Sequence, residues 1–423
     1  MSSNIGPEAK SKYNEYLNAK QIDEKIKLLE EFISLVPKHK GTEKIVALNR
    51  SKLAKLKREK KKKKELKKRL SAGLEDPFAI QREKDYLQML LVSDHFGEEM
   101  GAGKSTLLEN LTGISDIKTG VFTPVPKIGI YEWNKIKYQL IEMPALHEWS
   151  KLSRELSAIR TTDTVLLVID LTRDPIQQMK NILNMMERHN IYLNYKKPKV
   201  KLKKTGSDGI KIFFRTKEAE ESRDKEKFIE EMIKENGIKN AIVKIYENMS
   251  IKQIEMAFNR SSAFVPAMII ATKADRANTK KRFLKLKQFY SKEQGHNFSI
   301  HPVAISWNDK GEKYRQGLED LGLRVLEELD LIRIYTKSKH GVANRPLVIH
   351  RGATIGEVAQ KIHKDLYEYF RFANVFRHED SKENEKEENY INNIPKEEGR
   401  RKYRVGLDFE VEEFDIVEII SDI

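Results

Sequence analysis

The residues of this chain that could do chemistry begin with a turn. Gly101, Ala102, Gly103, Lys104, Ser105 and Thr106 run together and are followed by the apolar Leu107 and Leu108. Upstream, Tyr86 to Ser93 is an almost continuous apolar run, the pattern of a buried strand. Strand, glycine-rich turn, Lys-Ser and helix in that order make a loop that holds phosphate. Glycines let backbone N–H groups turn inward around phosphate oxygens, the lysine reaches the outer phosphates, and the serine hydroxyl meets Mg²⁺ at the N-terminus of the following helix. One position departs from the pattern: glycine is expected where this chain has Glu98, while Gly97 comes one place too early. Either the loop is a residue longer or its mouth carries an acid beside phosphate.

Two later segments address a base. Met268, Ile269, Ile270 and Ala271 read as an apolar strand ending in Thr272, Lys273, Ala274 and Asp275, similar to the Asn/Thr-Lys-x-Asp turn that recognises guanine. The aspartate is placed to accept two bonds from guanine N1 and N2. Adenine lacks that donor pair and would leave the carboxylate unpaired, which is costly. A second apolar run, Val303, Ala304 and Ile305, ends at Ser306, 31 residues after Asp275, where a loop touching guanine O6 would fall.

Between these landmarks, Phe122, Thr123, Pro124, Val125, Pro126, Lys127, Ile128 and Gly129 resemble the first switch segment of the Obg-related GTPases. The strand Tyr138 to Ile141 then delivers Glu142, Met143, Pro144 and Ala145 where such a GTPase has Asp-x-x-Gly. With its motifs in this order, the chain resembles the developmentally regulated GTP-binding proteins, archaeal members more than a short bacterial one, over nearly its full length. The resemblance implies an α/β fold: a P-loop GTPase with a doubly wound sheet at 85–189 and 259–330. It also implies a basic helical N-terminus at 1–70, an inserted α+β domain similar to domain 2 of ribosomal protein S5 at 190–258, and a C-terminal β-grasp TGS domain at 331–423. Glu379 to Arg401 reads as a charged insertion in the last of these.

Roles follow from the resemblance residue by residue. GTP or GDP would be held by Gly101, Ala102, Gly103, Lys104, Ser105, Thr106, Thr123, Ala145, Thr272, Lys273, Asp275 and Ser306, and Mg²⁺ by Ser105, Thr123 and Glu142. Glu142 replaces an aspartate and adds one methylene before its carboxylate. Ala145 keeps the backbone N–H that would report the γ-phosphate but lacks the conformational freedom of glycine. Where some GTPases orient the attacking water with glutamine, this chain has Leu146, whose apolar side chain cannot do so. His147, next to it, reads as a solvated surface histidine. No residue is assigned as catalytic, and the expectation is a slow nucleotide switch stimulated by a partner.

The elements that must position these residues are legible at lower resolution. Apolar runs near Tyr86, Tyr138, Val165, Met268 and Val303 alternate with helical stretches, which argues for a mainly parallel, doubly wound sheet with its ligand at the strand C-termini. Met179, Met185 and Met186 read as core packing. The length of 423 residues suits about three domains. There is no cysteine, which excludes disulfides, thiolate metal sites and a cysteine nucleophile and fits a cytoplasmic protein. The longest mostly apolar stretch, Ser261 to Thr272, is too short to span a bilayer, so a membrane is not an expected partner.

The net charge is +15, and residues 1–70 hold 21 Lys and Arg against 9 Asp and Glu, or +12 of it. Apolar residues at Ile26, Leu29, Ile33 and Val36, and again at Ile45, Leu48, Leu53 and Leu56, predict two amphipathic helices there, followed by the uninterrupted Lys60 to Lys64. A basic arm held in place by helices points to a polyanion, with the ribosome or its RNA as the partner the resemblance implies. A partner protein that stabilises the fold is a further expectation of that kind. The competing reading is an RNA-binding adaptor whose Glu98, Glu142 and Ala145 have disabled the nucleotide site.

Overall fold

The computed structural model describes residues 6–19, 22–37, 41–50, 52–54, 56–57, 80–94, 101–114, 125–144, 153–292, 298–307, 313–378 and 396–422. The chain divides into two compact units, Met1–Ala79 and Ile80–Ile423.

In the first unit, α1 (Pro7–Asn18) opens with a proline in its first turn, where the missing N–H costs nothing. It lies against α2 (Ile22–Leu35) around a small core of Ala9, Leu29, Phe32 and Val36. Residues 43–50 are helical, and Ile45, Val46, Leu53 and Leu56 pack on the same core. The aliphatic spacing predicted two helices from Ile26 onward; α1 is an addition. Its inward face is Ala9, Tyr13 and Tyr16, with the Tyr13 ring 4.9 Å from that of Phe32, so an aliphatic pattern passes over it. Lys60 to Lys64 lie outside the described residues.

The second unit is built on a six-stranded sheet. Its strands are β1 (Leu87–Val92), β2 (Lys127–Trp133), β3 (Ile136–Glu142), β4 (Thr164–Asp170), β10 (Ala267–Thr272) and β11 (Ile300–Pro302), in the order β11-β10-β4-β1-β3-β2. All pairs are parallel except β2 with β3. Every residue of β4 and β10 is buried, as strands covered on both faces must be. One face packs against α3 (Lys104–Thr112) and α8 (Leu321–Glu328) through Leu107, Leu108, Leu321 and Val325. The other packs against α4 (Pro175–Arg188) and α7 (Thr279–Lys292), where Met179, Met185, Met186 and Leu286 are core residues. The chain leaves β1 for β3 on one side and for β4 on the other, so the crevice at the C-terminal end of β1 is the topological switch point.

One strand assignment needs correction. The run Val303 to Ile305 is not the sheet strand. The edge strand is β11, which pairs with β10 through Ile269↔Ile300, and its residues are less apolar because one side is free. Ser306 belongs to β12 (Ala304–Trp307), which pairs antiparallel with β13 (Lys313–Gln316).

Between β5 (Ile191–Leu193) and β9 (Ala263–Val265), which pair in parallel, the chain makes a unit with its own core. Strands β6 (Val200–Lys204), β7 (Ile210–Phe214) and β8 (Ala241–Ile245) form a sheet in the order β6-β8-β7. Helices α5 (Glu226–Glu235) and α6 (Ile251–Phe258) bury Ile229, Ile233, Ile254 and Phe258 against Val243 and Ile245.

The C-terminal strands are β14 (Leu331–Ser338), β15 (Gly341–Val342), β16 (Leu347–His350), β17 (Phe370–His378), β18 (Arg400–Val405) and β19 (Ile416–Ser421). They form a mixed sheet around the parallel pair β14–β19, with α9 (Ile355–Ile362) buried against it. Among the described residues no helix is long and apolar enough to cross a membrane.

Helix α8 joins the two sheets and sits very close to the β2–β3 hairpin. The Tyr138 hydroxyl donates to the Gly322 carbonyl at 2.9 Å, and the Trp133 indole N–H donates to the Glu319 carbonyl at 2.9 Å. A methyl on Gly322 would fall 2.5 Å from the Trp133 ring. Gly322→Ala should therefore lower unfolding stability by about 1–3 kcal/mol, the cost of overpacking a filled core. Urea denaturation should show this, with Gly206→Ala, whose new methyl meets nothing within 4 Å, as the neutral comparison.

Candidate functional site

The site grows from the C-terminal ends of β1, β3, β4 and β10. Gly103 caps α3 at φ +97°, a left-handed conformation that favours glycine. No side chain caps this helix, so its first N–H groups and the positive end of its dipole face the loop. Lys104 is 9% exposed, and its Nζ donates to Ser93 Oγ at 2.6 Å, just beyond the end of β1. Burial pushes this amine down to about 8, against the pull of the Glu142 and Asp94 carboxylates.

Ser105 Oγ donates to Glu142 Oε1 at 2.5 Å. Glu142 is the last residue of β3 and is buried, and its extra methylene lets it reach across to the helix. A hydroxyl and a carboxylate side by side at an anion-binding helix terminus are the hard oxygen donors that Mg²⁺ takes, its other positions filled by water and phosphate. The residues present fit that ion.

On the other side, the Thr272 hydroxyl donates to the Ala102 carbonyl at 2.8 Å, tying the end of β10 to the glycine-rich turn. Lys273 sits at φ +59° and its Nζ donates to Asp170 Oδ2 at 2.7 Å. Burial would raise Asp170, but the bonds from Lys273 and from the Thr172 hydroxyl and N–H outweigh it and hold the carboxyl below its ordinary range. Arg173 bridges Asp94 at 3.5 Å and Asp170 at 3.8 Å, and the Asn181 amide donates to Asp94 at 3.4 Å. The Ala274 N–H donates to the Val303 carbonyl at 3.2 Å, so the loop that follows β11 closes on this turn. Asp275 is exposed, its carboxylate 3.8 Å from Arg276 Nε.

Of the residues picked from the sequence, Gly101 to Thr106, Glu142, Thr272, Lys273 and Asp275 lie on adjoining strand ends and turns. Thr123 and Ala145 lie outside the described residues, as do Glu98, Leu146 and His147. Ser306 is not at a sheet-strand end: it lies opposite Tyr314 in the β12–β13 hairpin, and Val303 is the residue bonded to the turn that holds Ala274. Sequence reasoning passed over Ser93, Asp94, Asp170 and Arg173. Asp170 carries a signal, as the polar residue that ends a run of buried aliphatics, while Ser93, Asp94 and Arg173 carry none in their local spacing.

Residues 99–204 match the family described as 50S ribosome-binding GTPase, and residues 332–421 match the TGS domain. The chain is 28% identical over 420 residues to a GTP-binding protein of Methanocaldococcus jannaschii, covering 97% of this chain and 95% of that one. It is also 28% identical over 284 residues to developmentally-regulated GTP-binding protein 1 of Xenopus laevis, covering 65% of this chain and 72% of the other. The solved structure of the Schizosaccharomyces pombe YchF GTPase aligns with a TM-score of 0.43 at 12% identity, covering 80% of this chain and 99% of that one.

The lowered Lys104 gives the site a pH signature. A bound phosphate favours the charged amine, so binding raises its pKa above about 8, and affinity is complete below that pH and falls as pH rises through it. Nucleoside diphosphate affinity should drop by up to about tenfold per pH unit above pH 8, relative to Lys104→Arg, whose guanidinium stays charged. Isothermal titration between pH 7 and 9 checks this; parallel profiles for the two chains would remove Lys104 from the phosphate contact.

Proposed function

Because the chain is a P-loop GTPase with a TGS domain, related to the developmentally regulated GTP-binding proteins of archaea and eukaryotes, we propose that it is a slow, Mg²⁺-dependent guanine-nucleotide switch acting on ribosomes or their RNA during translation. The observation that carries the reading is the hydrogen bond from Thr272 to the Ala102 carbonyl, which brings the base turn against the phosphate turn. Lys104 and the first N–H groups of α3 receive the phosphates, and Asp275 accepts from the guanine edge. Ser105, Glu142 and Thr123 would hold Mg²⁺, which neutralises phosphate charge when bound. Leu146 cannot orient a water, so intrinsic hydrolysis is slow and a partner raises it. The N-terminal charge of +12 supplies the attraction to RNA, and a cytoplasmic ribosome is the setting that the family resemblance supports.

A second reading has one observation in its favour. Glu142 stands where the resemblance calls for aspartate, and its longer side chain reaches the Ser105 hydroxyl that would hold the metal. An RNA-binding adaptor with a closed, vestigial site would look this way.

Equilibrium binding of labelled GDP and GTP with Mg²⁺, competed by ATP, separates the two. The switch predicts guanine-selective binding that weakens by about 100-fold in Asp275→Asn, the cost of losing a charged, doubly bonded acceptor. It also predicts faster GTP hydrolysis when ribosomes are added. Absence of nucleotide binding at millimolar concentration, with salt-sensitive RNA binding retained, would hand the assignment to the adaptor.

A further inference from the structure

The three-stranded sheet of the unit between β5 and β9 has one covered face and one open one. Ile210, Ile212, Phe214, Val243 and Ile245 point inward to the core beneath α5 and α6. By the two-residue period of a strand, the alternate residues face out. In register these form two rows, Lys201–Lys244–Phe213 and Lys203–Ile242–Lys211. Neither row contains a carboxylate; Asp208 in the β6–β7 turn lies 3.8 Å from Lys211, and Glu247 accepts from the Lys199 N–H at the edge of the sheet. Lys201, Lys203, Lys211 and Phe213 are all exposed, and Phe213 keeps 41% of its surface open to solvent.

Two features of this face suit an anionic, aromatic occupant, although Lys201 already lies 5.8 Å from the Tyr246 ring centroid. Lys201 stands directly opposite Lys244, and like charges facing each other across a ladder are destabilising. An anion between them removes that cost. Phe213 leaves a large ring uncovered among cations, with the Arg215 guanidinium 5.3 Å from its centroid at the strand end. Lysines alone would serve any acidic surface, but an exposed ring framed by cations matches an unpaired base that stacks while its phosphates lie on the lysines. A duplex hides its bases and would leave the ring unused.

We propose that this open sheet face is a binding surface for single-stranded RNA, with Phe213 as the stacking platform and Lys201, Lys203, Lys211 and Lys244 as the phosphate contacts. The surface is separate from the nucleotide site and does not depend on GTP binding.

The test uses the full chain and the fluorescence anisotropy of a labelled 20-nucleotide uridine strand and of an RNA duplex, titrated across salt. Replacing Lys201, Lys203, Lys211 and Lys244 by Gln should make the log–log salt dependence shallower by about 0.7 for each lysine that touches phosphate. Phe213→Ala should weaken the single strand at least fivefold, leaving the salt slope and duplex affinity unchanged, and Phe213→Trp should restore binding. Thermal unfolding matched to the unsubstituted chain shows that the variants are folded, and GDP binding measured in parallel keeps the result apart from the switch assignment. Wild-type RNA affinity and slope in both variants would overturn the proposal, as would a lysine variant that loses polyglutamate or anionic vesicles while retaining RNA.

Discussion

Burying an ammonium group costs several kcal/mol unless its surroundings compensate, and Lys104 is buried with a neutral hydroxyl, Ser93, as its hydrogen-bond partner. The arrangement is tolerable because Glu142 and Asp94 act at longer range and α3 begins at this residue. It also fixes much of the architecture. Ser93 must come off the end of β1 and Glu142 off the end of β3, so the two strands must be adjacent, parallel and in the register Leu91↔Glu142. A slip of one residue would turn Glu142 to the other face of the sheet and take it from Ser105. Parallel strands here are buried on both sides, which is why β1, β4 and β10 consist almost entirely of aliphatic residues until they reach their polar ends.

Lys273 shows the opposite solution. It is partly exposed and paired directly with Asp170, the residue that ends β4, in a register that sets Thr272 opposite Asp170. Its left-handed backbone costs on the order of 1 kcal/mol, and the bonds from Lys273 to Asp170 and from Thr272 to Ala102 offset it. One lysine therefore has its pKa pushed down by burial, while the other has its charge matched by a carboxylate. Arg173, shared between Asp94 and Asp170, connects the two neighbourhoods, so the Lys104 side and the Lys273 side form one continuous polar layer over the sheet.

The sequence exposed this layer unevenly. Gly103 to Ser105 and Thr272 to Asp275, which the fold brings together through the bond from Thr272 to Ala102, could be picked out because few residue types occur in those patterns at that spacing. The long aliphatic runs could be read as buried strands for the same reason. Ser93, Asp94 and Arg173 were hidden because nothing in their local spacing sets them apart from loop residues; only the strand order brings them to Lys104 and Asp170. The edge strand β11, Ile-His-Pro, was overlooked in favour of Val303 to Ile305, since an edge needs less apolar surface than the neighbouring run happens to have. Helix α1 escaped because tyrosines, not aliphatics, form its inner face.

The sheet and the C-terminal unit meet through a charge as well. Arg333, 7% exposed on β14, bonds Glu413 at 2.6 Å and lies between Phe414, 4.5 Å to its centroid, and Trp133, 5.5 Å away. Trp133 closes the end of β2 opposite Ile136, and at the other end of the same ladder Lys127 stands opposite Glu142. The carboxylate that holds Ser105 and the ring that holds Arg333 are thus opposite ends of one antiparallel hairpin, seven paired residues long. Because Gly322 and Tyr138 press α8 against that hairpin with no room for a methyl, its Trp133 end cannot shift without disturbing the helix that leads into β14. The Ser105–Glu142 pair and the C-terminal strands are in this way joined by a packed, hydrogen-bonded path that has little slack along it.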